Sequence, residues 1–279
     1  MPQIYGTEAH SPKEIAAAVE DVGVAKANLR LLPMVALGVL AGAFIALGAL
    51  YYTVVVSDSE LSFATARVLG GLVFSLGLVL VIVAGAELFT GNNLMVMAWV
   101  SRRINLARLL RNFAVVYAAN FAGALFVVFL VYHSGHWQSG DIGTKAVAIA
   151  SAKTTLPFAD AFFRGVLCNM LVCLAVWIAM GARTVAGKIL AVIFPVSAFV
   201  AAGFEHCVAN MYLIPLGILL AGDPGTGLST GPVEGASASA PTWSGLATNL
   251  LPVTLGNLVG GAVLVAAVYR AIYRRQSKS

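Results

Sequence analysis

The sequence predicts an all-α integral membrane fold of six transmembrane helices, with spans two and five broken and the chain divided into two inverted three-span halves. Three observations carry this. Of 279 residues, 59% are hydrophobic and only 10% charged, with mean hydropathy +0.89, too little charge to cover a soluble domain of this size. Two stretches of 34 residues, after Arg67 and after Lys188, each hold a single formal charge. Short motifs also recur in the same order in the two halves. Soluble enzymes, secreted disulfide modules and nucleic-acid-binding proteins are thereby excluded; the net charge of +5 comes from basic residues in short loops between apolar runs.

Residues 1–279 read as one membrane domain. Residues 1–30 carry Glu8, Lys13, Glu14, Glu20, Asp21 and Lys26 with apolar residues at helical spacing, the pattern of an amphipathic segment at the membrane surface. The six-span pore occupies 31–272. Span one is Leu31 to Val56, uncharged and long enough to cross with tilt. The stretch between Arg67 and Arg102 has Glu87 as its only charge, in AGAELFTGNN; it is too long for one straight helix and too short for two. The same arithmetic recurs between Lys188 and Asp223, with Glu205 beside His206 in AAGFEHCVANM. Both read as interrupted spans, and an interruption at membrane depth is tolerated only where the freed backbone faces protein or a water-filled cavity. The remaining spans are Phe113 to Tyr132, about Gly165 to Gly181, and Ala247 to Tyr269, and 222–246 reads as a flexible external loop rich in Gly, Ser, Pro and Thr.

The repeat is legible in three pairs: GVLAG from Gly38 answers GVLCN from Gly165, AGAEL answers AGFEH, and Asn120-Phe-Ala-Gly123 answers Asn257-Leu-Val-Gly260. An odd number of spans per half inserts the halves with opposite topology, and the site is expected where they meet. All but four of the 17 Lys and Arg residues fall in the N-terminal segment, the loops after spans two and four, and the tail, which makes that side, and both termini, cytoplasmic. The exceptions are Arg67, Lys145, Lys153 and Arg164.

His206 is the single histidine of four at membrane depth, where an ionisable group is costly and faces a pathway or a paired partner. No second His or Cys stands at metal spacing, and Cys168, Cys173 and Cys207 lie in apolar runs as small fillers, so no metal, haem or other cofactor is expected. Glu87 and Glu205 occupy equivalent places in the two breaks. Either they carry protons, or each carboxylate accepts backbone N–H groups freed at the break and stays charged. Thr90 and Asn210 either cap the restarted half-helices or face the permeant. No nucleophile, base and orienting group converge, so an enzyme is not expected.

The segments AELFTGNN, NMLVCLAVW from Asn169, GFEHCVANM and NLLPVTLGNLVGG resemble the formate/nitrite transporter family, over about Ser11 to Tyr273. The resemblance implies an aquaporin-like six-span protomer in a homopentamer within the bilayer of the cell (inner) membrane, each protomer with its own pore. It implies that Thr90 faces His206 at the pore centre, that Glu205 and Asn210 hold the span-five break, and that Asn169 lines the pore. Phe74, Leu78, Phe89, Val172 and Phe199 then match the apolar constrictions, and Lys153, in SAKTTLPF, matches a lysine at the outer vestibule. There is no NPA motif, which argues against a water or glycerol channel.

The implied cargo is a small monovalent anion. SPKEIAAAVEDVGVAKANL resembles formate-type members, whereas SAKTTLPF with FFRGVLCN is similar to nitrite-type members, and hydrosulfide-type members share the core motifs. Formate is the favoured reading, with nitrite or hydrosulfide as alternatives within the family. A neutral-solute channel indifferent to pH, or a scaffold with no flux, are the alternatives outside it.

Overall fold

Ser11 opens the first helix: its hydroxyl accepts the Glu14 N–H while the Glu14 carboxylate accepts the Ser11 N–H at 2.7 Å, a reciprocal cap, and Pro12 follows at the first helical position. In the computed structural model, which describes residues 9–228 and 240–273, this helix is α1 (Pro12–Ala27). Its apolar face, assigned by the sequence to the membrane surface, is covered by protein. Ile15, Ala16, Val19 and Gly23 are buried, and at Gly23 a Cβ would stand 3.1 Å from the Ala98 methyl. Arg103 bonds Asp21 at 2.6 Å and Arg108 bonds Asn28 at 2.8 Å, fastening the polar side.

Among the described residues, five helical runs are long and apolar enough to cross a bilayer: α2 (Leu31–Val56), Phe63–Gly85, α6 (Leu106–His133), α8 (Phe158–Gly181) and Trp243–Tyr273. The sixth crossing is made of two shorter helices, α9 (Val185–Ala201) and α10 (Cys207–Gly222). Span two begins as α3 (Phe63–Leu80), loosens into a π-helical turn over Val81–Gly85, and stops at Gly85, whose φ of +85° a side chain would strain. After an extended stretch it restarts as α4 (Phe89–Asn92), a 3₁₀ turn at Asn93–Met95, and α5 (Val96–Val100). Span five breaks after Ala201 at a turn through Gly203, with φ +73°, and restarts at Cys207.

In lipid there is no apolar driving force between helices, so close backbone packing holds them together. Span one meets span three through Gly42 and Gly123, where an added Cβ would lie 1.9 Å from the carbonyl oxygens of Asn120 and Val39. Span four meets span six, which is α11 (Trp243–Leu258), a π-helical run over Val259–Ala267 and α12 (Val268–Tyr273), through Gly256 and Gly260 in the same way, at 2.2 and 2.1 Å. The two halves thus repeat one packing scheme.

The structure adds a helix that the sequence reading leaves in a loop, α7 (Ile142–Thr154), which carries Lys145 and Lys153 and packs on α10. Spans three and four begin earlier than expected, at Leu106 and Phe158, because the helices run on past the apolar core into turns that bear Arg108, Arg111, Asp160 and Arg164. Of the expected flexible loop, residues 229–239 lie outside the described residues; Pro224–Thr226 form a 3₁₀ turn, and α11 already starts at Trp243.

Candidate functional site

A broken helix exposes backbone groups that lipid cannot satisfy. Two buried asparagines meet that need with one design. Asn120 Oδ1 accepts the Phe89 N–H at 2.9 Å, while its Nδ2 donates to the carbonyls of Gly38 at 2.7 Å and Glu87 at 2.9 Å. Asn257 Oδ1 accepts the Cys207 N–H at 3.0 Å, and its Nδ2 donates to Gly165 O at 2.8 Å and Glu205 O at 2.9 Å. The three motif pairs of the internal repeat are therefore the three parts of one hydrogen-bonded node, built twice.

Of the two roles open to the carboxylates of the breaks, the structure does not show the backbone one. Among the described residues they accept no freed backbone N–H group; they bind lysine and asparagine side chains. Glu87 takes Lys26 at 2.7 Å and Asn92 Nδ2 at 2.7 Å, and Asn92 Nδ2 also reaches Asn112 Oδ1 at 2.9 Å. Glu205 takes Lys153 at 2.8 Å and Asn210 Nδ2 at 2.6 Å, and Asn210 Nδ2 reaches Asn249 Oδ1 at 2.8 Å. The physical reason is that each buried carboxylate needs a counter-charge, which an N–H group does not supply. Lys26, Asn92, Asn112 and Asn249 were not singled out from sequence. The signal for Asn92 was the five-residue spacing from glutamate to asparagine that it shares with Asn210, Asn112 and Asn249 left none, and Lys26, 61 residues from its partner, left only the demand of Glu87 for a cation.

The lysines differ in one respect. Lys26 also donates to Asn92 Oδ1 at 2.9 Å, whereas the corresponding Asn210 Oδ1 is buried without a partner among the described residues. Each lysine opens onto a cavity. The one on the α1 face, about 760 Å³, is lined by Lys26, Glu87, Leu88, Leu78, Arg183 and Lys188 among others. The one on the α7 face, about 270 Å³, is lined by Lys153, Glu205, Asn210, His206, Phe74 and Phe199 among others.

Between the cavities lies a thin septum. Phe74 borders one cavity and Leu78, one turn along α3, borders the other, so the barrier on this helix is about 6 Å deep at 1.5 Å per residue. Phe74 and Phe199 meet edge-on with centroids 5.8 Å apart, and Phe199 stacks on the His206 ring at 5.9 Å. Thr90, fully buried, joins the septum through its hydroxyl, 3.1 Å from His206 Nε2. His206 Nδ1 accepts the Ala209 N–H at 3.0 Å, making His206 the N-cap of α10. A nitrogen that accepts cannot carry the proton, so the neutral ring is protonated at Nε2 and donates toward Thr90. Neither Thr90 nor Asn210 caps a half-helix. In the repeat Leu88 stands where His206 stands, so the polar pair at the centre comes from one half's histidine and the other half's threonine.

Besides Thr90, three expected residues border neither cavity. The Phe89 ring packs edge-on against Tyr117 and Phe113, at 4.9 and 5.6 Å. Val172 is buried in the main apolar cluster. Asn169 Nδ2 donates to Asn257 O at 2.7 Å and Thr90 O at 3.3 Å, and so supports the backbone of the threonine.

Six crossings, two broken against each other, with cation-lined cavities on both faces and one polar pair in an otherwise apolar septum, define a multi-pass membrane channel or transporter. The chain belongs to the formate/nitrite transporter family, whose sequence profile matches residues 13–271. It is 39% identical over 273 residues to the formate channel FocA of Haemophilus influenzae, covering 96% of each chain, and 36% identical over 271 residues to FocA of Escherichia coli strain K12, covering 95% of each. It is 40% identical to the uncharacterized transporter YrhG of Bacillus subtilis, over 96% of this chain and 95% of that one. Among solved structures, a pentameric formate channel with formate bound matches with TM-score 0.79 and 36% identity, over 88% of this chain and 98% of that one. An ion channel of the same family matches with TM-score 0.79 and 29% identity, over 93% and 98%.

Proposed function

We propose that this chain is a formate channel of the cytoplasmic membrane that passes formate together with a proton, and that it works as a homopentamer with one pathway per protomer. The observation that carries the reading is the septum: two cation-lined cavities separated by apolar side chains whose polar break is the Thr90–His206 pair. The α1 face is taken as cytoplasmic, because Lys26, Arg103, Arg108, Arg111 and Arg183 gather with α1 on that side. The pentamer rests on likeness to the pentameric formate channel.

Charge decides which species crosses. Moving a bare monovalent anion into an apolar constriction costs several kcal/mol or more in lost hydration. Protonating an acid whose pKa lies about three units below ambient pH costs about 4 kcal/mol, and the neutral acid then loses little on desolvation. Lys153 and Lys26 hold formate at the two mouths. Lys153 spends one bond on Glu205, and the unpartnered Asn210 Oδ1 beside it suits the O–H of the neutral acid. In the septum the His206 Nε2–H and the Thr90 hydroxyl donate to and accept from the acid. His206 is not the proton source, because Nδ1 is committed to Ala209 and loss of the Nε2 proton would leave an imidazolate; the proton comes from vestibule water. Phe74, Phe199 and Leu78 exclude water on either side, and Phe89, Val172 and Asn169 hold the central backbone behind them.

The test is uptake into proteoliposomes of purified protein, comparing formate, nitrite, hydrosulfide and lactate at several external pH values with internal pH recorded. Formate flux that rises as pH falls and alkalinises the outside supports the proposal. A preference for nitrite or hydrosulfide keeps the site and changes the substrate, and flux indifferent to pH, or absent, overturns the reading.

A further inference from the structure

The α7-face cavity is lined by three cations, Arg67, Lys153 and Arg164, and one carboxylate, Glu205. Lys153 is bonded to Glu205 at 2.8 Å, and Arg164 lies 3.9 Å from Asp160. Arg67 has no carboxylate within 4.0 Å and no hydrogen bond among the described residues; its guanidinium lies over the Phe63 ring, 5.1 Å from the centroid. It also rests against the turn that breaks span five. A Cβ at Gly203 would come within 3.1 Å of Arg67 Nη1, and two and three residues later the chain reaches Glu205 and His206. An arginine held by an aromatic face, beside the break and with its N–H donors unspent, is a cation prepared for a ligand absent from the fold.

We infer that Arg67 is the capture site for the permeant anion on this face, a specificity-determining residue that binds an anion with two oxygens on one atom before the anion reaches Lys153. The guanidinium presents parallel N–H donors in a fixed plane, and formate and nitrite each offer two oxygens at matching spacing. Hydrosulfide has one heavy atom and cannot give each prong its own acceptor. Arg67 therefore does more than concentrate negative charge: it sorts two-oxygen anions from those with a single heavy atom at the mouth, while the septum sets the maximal rate. This rests on the formate-channel reading above and adds to it where selection begins.

The experiment measures concentration dependence of formate, nitrite and hydrosulfide flux in proteoliposomes at low and high ionic strength, for the unmodified protein and for Arg67→Gln, Arg67→Lys and Lys145→Gln. A ¹³C-formate NMR titration of the same proteins in detergent reads binding without transport. Arg67→Gln is expected to raise the half-saturating concentration of formate and nitrite roughly three- to ten-fold at low salt, with maximal flux retained and the salt dependence flattened. Arg67→Lys restores the salt dependence and matches the unmodified protein for hydrosulfide, yet keeps a higher half-saturating concentration for formate and nitrite. Lys145→Gln, a cation of α7 outside the cavity lining, changes none of these. Half-saturation and formate titration unaltered in Arg67→Gln overturn the inference, as does Arg67→Lys behaving like the unmodified protein toward all three anions. If the unmodified protein carries no formate, the channel reading fails by itself, and the titration still decides whether Arg67 binds the anion.

Discussion

Nδ1 of His206 accepts the backbone N–H of Ala209 at 3.0 Å, which fixes the tautomer of the ring and turns Nε2–H toward Thr90. The same bond caps α10, so the residue proposed for the centre of the pathway is also a structural part of the broken span. Protonating Nδ1 requires breaking the cap. The expected outcome is that ¹⁵N NMR of histidine-labelled protein finds His206 Nδ1 unprotonated throughout the pH range 5–8. His206→Ala removes the cap as well, at about 0.5–2 kcal/mol of stability, measurable as a lower thermal midpoint alongside altered flux.

Thr90→Val keeps the shape of the side chain and deletes the hydroxyl 3.1 Å from His206 Nε2. A fully buried N–H then has no acceptor, a loss of about 1–3 kcal/mol. Formate flux should fall at least ten-fold while the protein still assembles, and Thr90→Ser, which restores the hydroxyl, should recover most of it. Stopped-flow uptake with all three proteins at equal density checks this.

The Lys26–Glu87 and Lys153–Glu205 pairs make separate predictions for one partner and for both. Lys26→Met leaves the Glu87 carboxylate, 7% exposed, with Asn92 as its remaining partner, and should lower stability by roughly 2–3 kcal/mol, below the range for fully buried pairs because Lys26 is 24% exposed. The double variant Lys26→Met/Glu87→Gln removes the stranded charge and should regain most of that loss. Thermal unfolding in detergent at matched concentration distinguishes the two.

Asn120→Ala and Asn257→Ala should be equally damaging, because each strands one N–H and two carbonyl groups at a helix break. At about 1–3 kcal/mol for each stranded group, either substitution should abolish recovery of folded protein. Asn112→Ala deletes one of the two acceptors of the Asn92 amide and should cost only about 1 kcal/mol. Yield and monodispersity by size exclusion provide the measure.

Glu14 lies outside the membrane spans, and its hydrogen bonds from the Ser11 hydroxyl and N–H hold its carboxyl below the ordinary value of 4.5. A depressed folded-state pKa contributes stability that is fully present above the unfolded value and is lost as pH falls through the folded one. Docking of α1 should therefore be constant from neutral pH down to about pH 5 and loosen below pH 4.5. Hydrogen exchange of the α1 amides, corrected for intrinsic rates, should show this in the unmodified protein, and Glu14→Gln should reduce the pH dependence, the Arg103–Asp21 pair remaining.

Much of the site was legible because the membrane penalises what it does not use. Glu87, Glu205 and His206 stand out from apolar surroundings, and the paired motifs GVLAG/GVLCN, AGAEL/AGFEH and the two Asn-x-x-Gly sequences turn out to be the contact points of the two nodes. The node itself was not legible, since nothing local says that Asn120 serves the N–H of Phe89, 31 residues away. Nor was α7, an Ala-rich helix outside the spans whose position depends on packing against α10.

By itself the sequence determined the membrane class, the six crossings, the two interruptions and the inverted halves, because bilayer thickness and the cost of buried charge act on each segment independently of its neighbours. Only the tertiary structure decided which cation answers Glu87 and Glu205, that Leu78 and Phe74 face opposite cavities one turn apart, and that Arg67 stands beside the break with no carboxylate partner among the described residues. Those relations depend on side chains brought together from distant parts of the chain, and distance along the sequence carries no record of them.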